Sequence, residues 1–198
     1  MMISSRDEKK IDNIISEIER LYPGLTKSRG RVLNYIGMTF NFEQLGRVVI
    51  SMEGFIKDLL DDCIEIVGVS RTPAEDNLFK IDLNSPLLND KERERFHSLT
   101  AKLLYLSKRT RPDILACIAY LTKRVLEPRT DDWKKLVHTI QYIRGTRTMP
   151  LTLEVDTPVK DIAYIDASYA VHADKKSHTG CTITLGKGQS MVRAPLRN

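Results

Sequence analysis

The chain has 198 residues, 41% of them hydrophobic and 29% charged, with a formal net charge of +5; that supplies apolar material for a core and room for one or two domains. No apolar run approaches the roughly 18 residues needed to cross a bilayer, and the start, MMISSRDEKKIDNII, has no secretory apolar region, so the sequence reads as an intracellular protein with no membrane partner. Its three cysteines, Cys63, Cys117 and Cys181, are odd in number and widely spaced, which argues for reduced thiols and against a disulfide framework.

In residues 7–22, Ile11, Ile14, Ile15, Ile18 and Leu21 recur at three- and four-residue steps, the spacing of one helical face, with Pro23-Gly24 as the stop. The runs VLNYIGMTFNF and RVVISM are rich in β-branched and aromatic residues and are joined by EQLG; Gly46 lets the backbone turn, so together they predict a hairpin. Residues 53–67 return to helical spacing. Residues 68–89 hold Pro73, Pro86 and several Asp, Asn and Ser residues, and read as a long, mostly irregular linker.

The pattern then becomes strongly helical. DKERERFHSLTAKLLYLSKRT has a charged first turn and an apolar stripe through Phe96, Leu99, Leu103, Leu104 and Leu106. Pro112 suits the first turn of the next helix, PDILACIAYLTKRVLE, because proline's missing amide hydrogen is not needed there. Thr130 is expected to cap a third helix, DDWKKLVHTIQYIRG, whose Asp131 and Asp132 complement the helix dipole and whose end is marked by Gly145. Three such helices with short connections predict a compact bundle. From Met149 the period changes to two, and LTLEV, DIAYIDASYA and HTGCTITLG predict successive strands of one sheet. The fold class is therefore α+β, divided into residues 1–67, a linker 68–89, a helical bundle 90–148 and a strand region 149–198.

The charge is unevenly spread: residues 1–90 carry a net −4, residues 91–150 a net +8 and residues 151–198 a net +1. A basic block on an ordinary domain is the footprint expected for a phosphate backbone, although a solvated helical surface accounts for it equally well. Within LSKRTRPDILA, Lys108, Arg109 and Arg111 cluster where one helix ends and the next begins, a rigid frame from which side chains can reach outward to nucleic acid. They could instead cap the carbonyls of the helix end, or pair with Asp113. Lys102, Lys123 and Arg124 extend the candidate nucleic-acid-binding set.

Two pairs of adjacent carboxylates invite a metal reading. Asp61 and Asp62 lie in a helical pattern, where neighbours point about 100° apart and cannot share one ion well, and Asp131 with Asp132 is explained by capping. His172, Asp174, His178 and Cys181 offer mixed zinc donors, but their spacing matches no standard structural zinc module. Asp166, inside the apolar run YIDASYA, is the stronger candidate, because a carboxylate in a buried strand is costly to desolvate unless it binds a cation or accepts hydrogen bonds. Two-metal phosphodiester hydrolysis uses such an aspartate to bridge both ions, yet needs further carboxylates; after Asp166 the sequence offers only Asp174.

Taken in order, YIGMTFNF, GRVVISMEGFIKDLL, RTPAEDNLF, FHSLTAKLLYLSKRTRPDILACIAYLTKRV, DDWKKLVHTIQYIRGT and YIDASYAVHADKKSHTG resemble the copia-type (pseudovirus) LTR retrotransposon polyprotein, in the part after the polymerase active site. The resemblance covers residues 10–188. It implies that the hairpin over 34–52 is the end of a reverse transcriptase palm with its primer grip, that the basic helices are thumb and connection, and that 149–198 opens a ribonuclease-H-like domain. It implies Asp166 as the first metal-binding aspartate of that domain, with magnesium only in a complete site and no cofactor for this chain by itself. The implied partners are an RNA–DNA hybrid or template-primer duplex and the remainder of the polyprotein; the implied locations are a cytoplasmic virus-like particle and the nucleus. The paired polymerase aspartates belong before Met1, the later ribonuclease H carboxylates belong downstream, and the pattern is lost at GQSMVRAPLRN. The expectation is thus a fragment with neither catalytic centre complete; the rival readings are a relic without activity and a metal-dependent nuclease built on Asp166.

Overall fold

A computed structural model describes residues 1–156, 159–168, 177–188, 191–193 and 196–197. Helix α1 (Glu8–Leu21) starts at Asp7, whose carboxylate accepts the Lys9 amide hydrogen at 3.0 Å. None of its side chains is buried. Ion pairs from Arg29 to Asp12 and from Lys27 to Glu19 fold the following segment back along it.

The expected hairpin is a three-stranded meander. Strands β1 (Val32–Tyr35), β2 (Met38–Asn41) and β3 (Arg47–Ser51) are antiparallel neighbours, because the run VLNYIGMTFNF turns within itself at Ile36-Gly37. Tyr35 pairs with Met38, and the two residues between them have φ of +49° and +70°, the left-handed pair that a two-residue hairpin turn requires. The sheet's fourth strand, β4 (Leu151–Glu154), comes from far along the chain and pairs Arg47–Ile50 against itself. Its expected place beside the strands that follow it is thereby corrected: LTLE completes the first sheet.

Helix α2 (Glu53–Asp61) is shorter than its apolar pattern, which continues through turns to Ile66. Helix α3 (Asp90–Ser107) opens with a reciprocal capping box between Asn89 and Glu92. A 3-10 turn at Pro112–Ile114 leads into α4 (Leu115–Thr122), and α5 (Thr130–Gly145) follows. Thr130 is the first residue of α5, not its cap; the Asp132 carboxylate instead accepts the Arg129 amide hydrogen at 2.9 Å. Phe96, Leu103 and Leu106 of α3, Ile118 and Leu121 of α4, and Leu136, Ile140 and Ile143 of α5 form one core with Met52, Ile56 and Leu59, so α2 is a fourth wall of the bundle.

Residues 62–89 lack helix and strand but are far from a free linker. They run antiparallel along α5 as a strap, and α5 side chains hold their backbone carbonyls. Arg144 donates to the Cys63 and Ile66 carbonyls, Gln141 to that of Val67, Thr139 to that of Pro73 and Lys135 to that of Lys80. Beside the first turn, Arg129 donates to the Leu83 and Ser85 carbonyls at 3.0 and 2.6 Å. Backbone polar groups lacking secondary structure must be satisfied somewhere, and here one helix flank does it.

A second antiparallel sheet has the order β5 (Ile162–Ser168), β6 (Ser177–Thr184) and β7 (Met191–Arg193), with β8 (Leu196–Arg197) also on β6. Residues 185–188, which follow β6, rest on β4: the Glu154 and Asp156 amides donate to the Lys187 and Leu185 carbonyls at 2.8 and 3.0 Å. Gly188 permits this approach, since a Cβ there would lie 1.9 Å from the Thr152 carbonyl oxygen. No helix among the described residues is long and apolar enough to cross a membrane.

Candidate nucleic-acid interface

The structure sorts the six basic candidates by what already occupies them. Arg111 does not reach outward as expected; its side chain is 0% exposed. Its guanidinium grips the Asp113 carboxylate at 2.8 and 3.0 Å and donates to the Thr146 carbonyl and hydroxyl at 3.1 and 2.7 Å. A planar fork so fully used fastens the α3–α4 corner to the end of α5. Tyr142 joins the group by donating to Asp113 at 2.8 Å, and its burial pushes the phenol's pKa up.

Lys102 and Arg124 are also taken. Lys102 pairs with Asp62, which lowers the Asp62 pKa chiefly through that hydrogen bond, and Arg124 holds the buried Asp132 at 3.2 Å. Much of the basic excess thus works inside the molecule, with Arg95 on Glu65 and Lys135 on Asp131 adding to it. Both adjacent-aspartate pairs are split between partners: Asp61 takes Lys57 while Asp62 takes Lys102, and Asp131 takes Lys135 while Asp132 takes Arg124.

Lys108 and Arg109 are placed differently. Lys108 and Lys123 are exposed at the C-terminal ends of α3 and α4, where cations also suit the carbonyl end of the dipole. Lys108 and Arg109 have no carboxylate partner among the described residues. The Arg109 guanidinium carbon sits 3.8 Å from the centroid of the Tyr105 ring. Tyr105 was not singled out by the sequence; only its four-residue spacing from Arg109 pointed to a shared helical flank.

Asp166 lies on β5 opposite Gly180, as a strand residue, but its expected burial is corrected: it is exposed, as are Tyr164 and Ile165 beside it. Among the described residues no three His, Cys, Asp or Glu side chains converge on one point. One exposed carboxylate does not by itself complete the near-octahedral oxygen ligation that magnesium takes. His172 and Asp174, and the side chain of His178, lie outside the described residues; Cys181 is half-buried.

The chain is 24% identical over 189 residues to the transposon Ty5-1 protein of Saccharomyces cerevisiae, an alignment covering 95% of this chain and 60% of that protein. The chain is related to a retrotransposon protein. The secreted RxLR effector protein 161 of Plasmopara viticola is 27% identical over 82 residues, 41% of this chain and 58% of that protein. The retroelement-related chain therefore spans about three-fifths of the length of these curated relatives. No family model and no solved structure matches it.

Proposed function

We propose that this retroelement-related chain serves a reverse transcriptase/ribonuclease H polyprotein by holding the RNA–DNA hybrid or template-primer duplex during RNA-directed DNA synthesis. In this reading residues 1–67 close the palm and primer grip, 90–148 form a thumb-like bundle, and 149–198 open the ribonuclease-H-like domain, with Asp166 as its first metal-binding aspartate. The remainder of the polyprotein is the protein partner, and the setting is intracellular. The observation that carries the reading is the standing of Lys108 and Arg109 at the end of α3 with no acidic partner among the described residues, while Lys102, Arg111 and Arg124 are neutralised. The similarity to a transposon protein along 95% of the chain supports the setting.

Fluorescence anisotropy with a labelled RNA–DNA hybrid over a sodium chloride series tests this. Phosphate contacts release counterions, so affinity falls as salt rises, with a log–log slope near −0.9 for each phosphate neutralised. Binding that ignores salt, or no binding at low salt by folded protein, overturns the reading. That no three His, Cys, Asp or Glu side chains converge among the described residues favours a second reading, a relic without activity, which the same titration separates from the first.

A further inference from the structure

We propose that Arg109, held over the Tyr105 ring, is the phosphate anchor of this surface; the assignment rests on the nucleic-acid reading above. Its frame is built by three elements. The Tyr105 hydroxyl donates to the Ile36 carbonyl at 2.8 Å, and its ring meets that of Phe55 on α2 at 5.3 Å. Ile36 is a β-branched residue at φ +49°, the sole non-glycine with positive φ among the described residues. Such a residue is sterically strained in the left-handed region, and strain of this kind persists where the surroundings over-determine it, commonly at functional sites. Here the strained carbonyl is the one that holds Tyr105.

Tyr105 in turn holds Arg109. The guanidinium lies over the ring, its Nε–H is buried without an acceptor, and no carboxylate or carbonyl among the described residues takes its terminal nitrogens. A guanidinium fixed over a ring loses little freedom when its terminal nitrogens meet the oxygens of a phosphodiester. Arg111, two residues on, supplies the contrast, because its fork is filled by Asp113 and Thr146. Two neighbouring arginines are thus divided, one to build the corner and one to meet phosphate, with Lys108 beside it as a solvated point charge.

The test pairs hybrid binding with direct observation of the Arg109 Nε–H by nitrogen-edited NMR during titration with inorganic phosphate. Arg109→Lys keeps the charge and loses the stacked fork, so it should weaken hybrid binding about tenfold with a nearly unchanged salt slope. Lys108→Gln should weaken it only about two- to threefold while reducing the slope by about one. Tyr105→Phe keeps the ring and frees it from Ile36, and should fall between them. Phosphate should shift the Arg109 Nε–H saturably in the wild type. Arg109→Lys that is folded and binds within twofold of wild type overturns the anchor and leaves hybrid binding standing. Wild-type protein that binds no hybrid, yet shows the saturable phosphate shift, overturns the functional reading and keeps the anchor. An Arg109 signal that phosphate leaves unmoved, or that an acidic peptide moves in its place, overturns the anchor.

Discussion

Arg144 donates one guanidinium nitrogen to two carbonyls, those of Cys63 at 3.3 Å and Ile66 at 2.6 Å, and so ties the last turn of α5 to the chain leaving α2. The two carbonyls belong to a stretch with no strand or helix of its own; that of Cys63 also accepts the Ile66 amide hydrogen at 2.9 Å, while that of Ile66 is left to water without Arg144. Arg144→Gln should therefore destabilise the fold by ~1–3 kcal/mol, as expected for losing charge-assisted hydrogen bonds. Urea melts measure that loss, and amide exchange should accelerate most over residues 62–70. Unchanged exchange there would show that the strap is held by its apolar contacts alone.

Arg111→Lys should cost more, about 2–4 kcal/mol, because a single ammonium cannot serve Asp113 and both oxygens of Thr146, and the carboxylate is left poorly matched. Hybrid affinity per folded molecule should stay within twofold of wild type. A large specific loss of binding by protein that melts normally would return Arg111 to the interface.

These two arginines show what the sequence could convey. Both sit in the same basic block, and composition cannot distinguish a guanidinium that caps carbonyls from one that meets solvent; the deciding partners, Asp113 aside, lie about 35 to 80 residues away in the chain. The long helices α3 and α5 were legible because their apolar positions keep one face over several turns. The Ile36-Gly37 turn was hidden since isoleucine is a poor residue for positive φ, and the run on either side reads as one strand. The strap was legible as irregular chain, but its order comes from side chains of another element spaced along α5. Asp166 was placed on the correct kind of element, and its exposure could not be read from period-two alternation, which fixes opposite faces without saying which face is covered.

Tyr120→Phe should be neutral or stabilising at neutral pH, since the ring is 3% exposed and its hydroxyl is a buried group without a hydrogen-bond partner. Burial, with Asp132 adding to it, pushes the phenol up to about 12 from its ordinary 10. Between those values the folded protein holds a proton that the unfolded chain releases, so this residue makes stability fall as pH rises through 10 to about 12. Denaturation curves should show a shallower alkaline decline for Tyr120→Phe than for wild type. Identical declines would place Tyr120 ionisation outside the transition.

Gly188→Ala should unseat the turn from β4. The new Cβ would lie 1.9 Å from a backbone oxygen, which cannot move as a side-chain tip can, and φ at this position is +83°. The amides of Glu154 and Asp156 should lose protection while the helical core melts as before. Protection kept at both amides would mean that the turn relocates without releasing its bonds.

The pairing of β4 with β3 carries one further consequence. About a hundred residues, the whole helical bundle among them, lie inside the loop that this pairing closes, and closure entropy of that size is overcome only after the bundle has formed. The sheet's last strand is thus a late arrival, and the outer edge of β3, from Arg47 to Ile50, stays open until it comes. A chain shortened at residue 148, where the sequence suggests a natural boundary, keeps that edge open permanently and offers it to any neighbouring strand. The place that looks safest to cut is the place where cutting turns an inner strand into an adhesive edge.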